Sequence, residues 1–94
     1  MLVERLLQLV GRLLGVLERI GAAERTVVFV IADHGEMMGE RGSWFKFQPF
    51  EWSVRVPMIA SGPGVGRGLR EEKAVSLLDL LPTFVALASD GKGV

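Results

Sequence analysis

The chain contains no cysteine and no tyrosine, and only one histidine among its 94 residues. Without cysteine there is no disulfide framework, no thiolate metal site and no cysteine nucleophile. Neither charge sign is in excess: eleven lysines and arginines face eleven aspartates and glutamates. The broad positive field of a dedicated nucleic-acid binder is therefore missing, and no nucleic-acid partner is expected. Long hydrophobic runs are missing too. The longest, Val27–Ala32 and Leu80–Ala88 with Pro82 and Thr83 inside it, fall far short of the roughly 20 residues that span a bilayer. The leucine-rich N-terminus carries Glu4, Arg5, Gln8 and Arg12 at helical intervals and lacks the short basic region of a secretory signal. The expectation is a protein of a reducing compartment, cytoplasmic, with no membrane partner. Apolar residues at 49% against 23% charged place it among ordered globular chains. Its length allows one small domain at most, burying only about 60–65% of the unfolded surface.

What is present has a clear order. From Leu2 to Ile20, apolar residues fall at Val3, Leu6, Leu7, Val10, Leu13, Leu14, Leu17 and Ile20, a three-and-four spacing that lines one side of a helix. Gly11 and Gly15 each cost about 1 kcal/mol inside a helix, so a neighbouring backbone is expected to approach there. Gly21 stands where a left-handed cap ends a helix. Thr26–Ala32, TVVFVIA, is a β-branched run without polar alternation, the pattern of a strand covered on both faces and half of a βαβ unit. Val54–Ser61 is the second strand candidate. Between them, His34–Ser53 is a long irregular stretch holding five of the seven aromatics, Trp44, Phe45, Phe47, Phe50 and Trp52; loops of this length are usually functional. Packing is the expected role of these rings. Gly62–Gly68 reads as a surface turn, since the Gly-Lys-Ser/Thr ending of a phosphate loop is absent. Ser76-Leu-Leu-Asp79 has capping-box form before a helix over Leu80–Ala88, with Pro82 in the first turn. Asp90–Val94 shows no closing element.

The candidate chemistry clusters at the end of the first strand. In open α/β sheets ligands gather outside the carboxyl ends of strands, and there Asp33 and His34 offer a carboxylate and an imidazole side by side. Both can reach one divalent cation; equally, Asp33 can cap the next turn and His34 can be an ordinary loop residue. Lys46 lies among rings in Trp44-Phe-Lys-Phe47, where its ammonium can meet an anionic substrate or simply reach water. Glu40 and Glu51 are positioned to pair with Arg41 or Arg55.

The order of these residues resembles the C-terminal part of a sulfatase catalytic domain, in the alkaline phosphatase superfamily. Three blocks carry the resemblance: Val10-Gly-Arg-Leu-Leu14; Thr26 to Glu36 with Asp33-His-Gly-Glu36, through Gly39-Glu-Arg-Gly42 to Lys46; and Arg55-Val-Pro-Met-Ile59 followed by Leu78-Asp-Leu-Leu-Pro-Thr83. The middle block is most similar to the choline-sulfatase and phosphonate monoester hydrolase branch. The resemblance implies an α/β fold, a partial alkaline-phosphatase-like sandwich running helix, strand, long loop, strand, helix, with residues 1–94 as one fragment. It implies that Asp33 and His34 hold part of a divalent-metal site, with calcium usual and manganese or magnesium the alternatives. Lys46 would be the catalytic and substrate-binding residue, on an anionic oxygen of a sulfate ester. The formylglycine nucleophile, made in this family within a Cys/Ser-x-Pro-x-Arg motif, is absent: Ser61-Gly-Pro63 is followed by Gly64 and Val65 without the arginine. The expectations are therefore a sulfuric ester hydrolase fragment, inactive alone. The alternatives are a phosphodiesterase or phosphonate hydrolase fragment, or a non-enzymatic remnant that self-associates through exposed sheet edges.

Overall fold

The structure is a computed structural model that describes residues 1–89; the expectation for Asp90–Val94 lies outside the described residues. Helix α1 spans Leu2–Arg19, and Gly21 takes φ +68 just beyond its end, the left-handed turn that the sequence places there. A short 3-10 turn, Ala23–Arg25, leads into strand β1, Val28–Ile31. Strands β2, Met37–Met38, and β3, Trp44–Phe45, form a small hairpin around a 3-10 turn at Glu40–Gly42. Helix α2 is a single turn, Glu51–Val54, and strand β4 covers Met58–Ser61. The last helix, α3, spans Leu80–Ala88. Its capping box forms as the pattern predicts, with the Leu78 amide donating to Ser76 Oγ at 3.2 Å and the Ser76 amide to an Asp79 carboxylate oxygen at 2.9 Å.

The βαβ expectation is corrected. Strands β1 and β4 pair antiparallel, with Val28 opposite Ser61 and Ile31 opposite Met58. The reason is where the connection lies. The segment between them turns back through the hairpin and α2 and re-enters beside Ile31, so β4 must run the other way; a parallel pair would need a crossover to the far end. Alternating side chains of β1 then serve two faces. Val28 and Val30 line a groove of about 400 Å³ with Val10, Leu14 and Leu17 of α1, while Phe29 meets Phe84 of α3 edge to face, ring centroids 5.2 Å apart. The cover on both faces that the unbroken apolar run implies is only partial, since Val30 and Ile31 are 41% and 40% exposed.

Neither side is sealed. Among the described residues only Ala22, Met37 and Ser53 are buried. On α1, Leu6, Leu7 and Leu13 are each at least 60% exposed. Among the described residues no backbone neighbour approaches Gly11 or Gly15: a Cβ at Gly11 would meet nothing within 4 Å, and one at Gly15 only the Arg19 guanidinium. The apolar side of α1 is open where the sequence marks a packed surface. The aromatic loop is corrected in the same sense, because Trp44, Phe45, Phe47 and Trp52 are all more than 60% exposed and do not form the packed cluster expected of them.

Candidate functional site

The site begins where β1 stops. Beyond Ile31 the chain leaves the sheet at Ala32, and Asp33 folds back on its neighbour: the His34 amide donates to Asp33 Oδ1 at 3.0 Å. This ties one carboxylate oxygen locally and leaves Oδ2 directed at the imidazole, 3.5 Å from Nε2. The local cap and the candidate ligand are therefore compatible roles, one for each oxygen of Asp33.

Lys46 reaches the same imidazole from twelve residues further on, with Nζ 2.9 Å from His34 Nε2. An ammonium has donors only, so Nε2 must be the accepting, unprotonated nitrogen. The ring proton then lies on Nδ1, which donates to the Gly35 carbonyl oxygen at 2.7 Å. A backbone carbonyl thus fixes one ring nitrogen, and the lone pair of the other meets the Lys46 ammonium.

The two donors lie close enough together to reach one divalent ion. Neighbouring ligands at right angles, each 2.3–2.6 Å from a calcium-like ion, are roughly 3.3–3.7 Å apart, and the 3.5 Å between Asp33 Oδ2 and His34 Nε2 lies inside that interval. Two ligands are the whole contribution visible here, since among the described residues no group of three or more His, Cys, Asp or Glu side chains comes together. Asp33 is 87% exposed, so water completes most of any shell.

Other charges nearby do different work. Glu40 Oε2 accepts from the Met38 amide at 2.6 Å, and Arg41 stacks over the Phe50 ring, 4.6 Å from its centroid. The expected pairs between Glu40 or Glu51 and Arg41 or Arg55 are not among the ion pairs of the described residues. A hydrogen bond from the Met38 amide holds Glu40, and the Phe50 ring face holds Arg41.

Two features of this loop are not visible in the residue pattern. Phe45, immediately before Lys46, has φ +70, a region that bulky side chains rarely occupy. Ser53 is 2% exposed, beneath the loop. No motif marks either residue, since both conformation and burial arise only when β3 and α2 meet.

Comparison with known proteins places the chain in a family. The sulfatase family model matches residues 3–90. A choline-sulfatase from Rhizobium meliloti is 44% identical over 84% of this chain, and the zebrafish (Danio rerio) and mouse (Mus musculus) arylsulfatases K are 36% and 34% identical over 85% of it. The chain spans 14–15% of the length of these relatives. No solved structure matches it. No described helix is long and apolar enough to cross a membrane. The match runs through both helices, both long strands and the Asp33 to Lys46 loop alike, and on that breadth the chain belongs to the sulfatase family.

Proposed function

We propose that this chain is the C-terminal part of the catalytic domain of a sulfuric ester hydrolase, a segment of an alkaline-phosphatase-like sandwich that contributes cation and sulfate ligands. Asp33 Oδ2 and His34 Nε2 hold one side of a divalent cation, calcium by family habit and manganese or magnesium otherwise. Lys46 binds an oxygen of the sulfate group. The observation that carries the reading is the 2.9 Å contact between Lys46 and His34, which brings an ammonium, an imidazole and a carboxylate to one point from two ends of a loop.

The chemistry follows from charge. Cleavage of a sulfate ester builds negative charge on the leaving oxygen, and preorganised positive groups at that position accelerate the step. A bound cation supplies Lewis acidity there. Lys46 adds a fixed ammonium whose partner, His34 Nε2, is the same atom a cation needs. One lone pair serves one of them at a time, so a loaded site leaves the Lys46 ammonium free for the substrate anion. The nucleophile comes from outside these residues, and the isolated chain is inactive in this reading.

The test is Lys46→Ala in an enzyme form that contains both this segment and a nucleophile. A fall in kcat of about 10²–10³, the usual cost of one oxyanion-stabilising donor, is expected; an unchanged rate on sulfate esters removes Lys46 from the mechanism. Running phosphate monoesters, diesters and phosphonates beside sulfate esters separates the phosphodiesterase or phosphonate hydrolase alternative. A second reading, a protein that acts only by binding a partner or another copy, is favoured by one observation, the uncovered leucines of α1.

A further inference from the structure

The Lys46 to His34 contact needs both residues held from behind, and one residue is placed to do it, with its backbone on one side and its side chain on the other. Ser53 is the one polar residue buried among the described residues, and three segments converge on it. Its backbone carbonyl accepts from the Gly35 amide at 2.7 Å, and its own amide donates to the Phe50 carbonyl at 2.9 Å. Its hydroxyl donates to the Phe45 carbonyl in a long hydrogen bond of 3.5 Å. Gly35 is the residue after His34, and Phe45 is the residue before Lys46.

The approach on the Gly35 side is as close as backbone allows. A Cβ at Gly35 would fall on the Trp52 carbonyl oxygen and lie 3.3 Å from that of Arg55, so only glycine fits against α2. On the other side, Phe45 holds φ +70 although it is 66% exposed and has little packing to stabilise that backbone. Unfavourable dihedrals persist only where the surroundings over-determine them. The Ser53 hydroxyl on the Phe45 carbonyl, together with the pairing of Phe45 opposite Met37, supplies that restraint. Met37, fully buried, anchors the same hairpin from beneath.

We infer that Ser53 is a positioning residue, a two-armed clamp that sets the separation of His34 and Lys46 through Gly35 and Phe45. This rests on the reading of Asp33, His34 and Lys46 as the site. Ser53 touches neither cation nor substrate in this role; it fixes the backbone on each side of the two groups that do.

The test is solution NMR of the ¹⁵N-labelled chain without cation. In the unaltered chain the Gly35 amide is protected from exchange, the Lys46 ammonium protons exchange slowly, and His34 Nε2 resonates as a hydrogen-bonded imine nitrogen. Ser53→Ala, which introduces no bulk and removes only the long contact to the Phe45 carbonyl, should speed Lys46 ammonium exchange by about twofold, the weight of a hydrogen bond at the weak end of the range, and shift Nε2 toward its free value while the far-UV spectrum is kept. Gly35→Ala breaks the other arm and should shift the same Nε2 resonance. Unchanged His34 and Lys46 signatures in a folded Ser53→Ala chain overturn the clamp. So does a rapidly exchanging Gly35 amide in the parent chain, which needs no variant to fold. A clamp that holds while manganese titrated well above the millimolar range causes no proton relaxation at His34 leaves the positioning intact and overturns the cation-site reading alone, so the two fail separately.

Discussion

Asp33, His34 and Lys46 divide their work by the number of bonds each can make. Asp33 has two oxygens, one committed to the His34 amide; His34 has two nitrogens, one committed to the Gly35 carbonyl; Lys46 has only donors. What remains for a cation is one carboxylate oxygen and the imidazole lone pair that Lys46 already holds, too few for a tight calcium site that wants six to eight oxygens. Calorimetric titration of the chain with calcium should give a dissociation constant no tighter than about 1 mM, the weak end of protein calcium sites. Micromolar binding would mean that further ligands converge on the ion. A second prediction concerns Phe45. A left-handed backbone costs a side-chain-bearing residue roughly 1–2 kcal/mol and glycine almost nothing. Phe45→Gly should therefore keep the His34 and Lys46 resonances and stay within about 1 kcal/mol of the parent in denaturant unfolding. Phe45→Val, β-branched and therefore poorly suited to φ +70, should lose both. Equal behaviour of the two variants would show that the left-handed turn does not aim Lys46.

The elements were legible in the sequence to different degrees, and the differences have causes. The end of α1, the capping box before α3 and the core of β1 follow from local rules, since capping, β-branching and three-and-four spacing act within a few residues. The second strand candidate began at Val54, but β4 starts at Met58 because Glu51–Val54 closes a helical turn with the Val54 and Arg55 amides on the Phe50 and Glu51 carbonyls. A local apolar run does not distinguish those outcomes. Pairing direction lay outside local rules altogether. At Gly62 the two levels meet: it takes φ +143, and a Cβ there would lie 2.6 Å from the Thr26 carbonyl oxygen and 2.7 Å from Val27 Cα. Gly62 therefore lets the chain leave β4 directly over the start of β1. Gly62→Ala should destabilise the chain by about 2–4 kcal/mol, combining a backbone clash with an unfavourable dihedral, and the amides of Val28–Ile31 should lose protection in hydrogen exchange. Retained protection would place the support of this ribbon elsewhere.

The whole molecule exposes 8505 Å². An ordinary folded monomer of 10.3 kDa exposes about 5,400 Å², and its radius of gyration would be about 12 Å against the 16.4 Å found here. Apolar side chains patterned for burial, those of the α1 stripe among them, are part of that exposed surface. Exposed apolar area of this kind marks a surface that another element or molecule covers. Two measurements follow. The isolated chain should bind an apolar dye and sediment as more than one species, and Leu6→Glu with Leu13→Glu should reduce both effects. A dye-silent, monodisperse monomer with a cooperative unfolding transition would show that the stripe closes within the chain, against both the fragment and self-association readings.

Local chemistry carries far in this protein. The helix ends and the apolar run of the first strand could be read from residue order, because each depends on its neighbours or on a short run. Contact between residues distant along the chain could not. That Lys46 lies on His34, that β4 runs antiparallel to β1, that Ser53 is buried and that Phe45 is turned left-handed all arise when the loop closes back on α2. Such closures depend on which surfaces meet, and no local spacing records that.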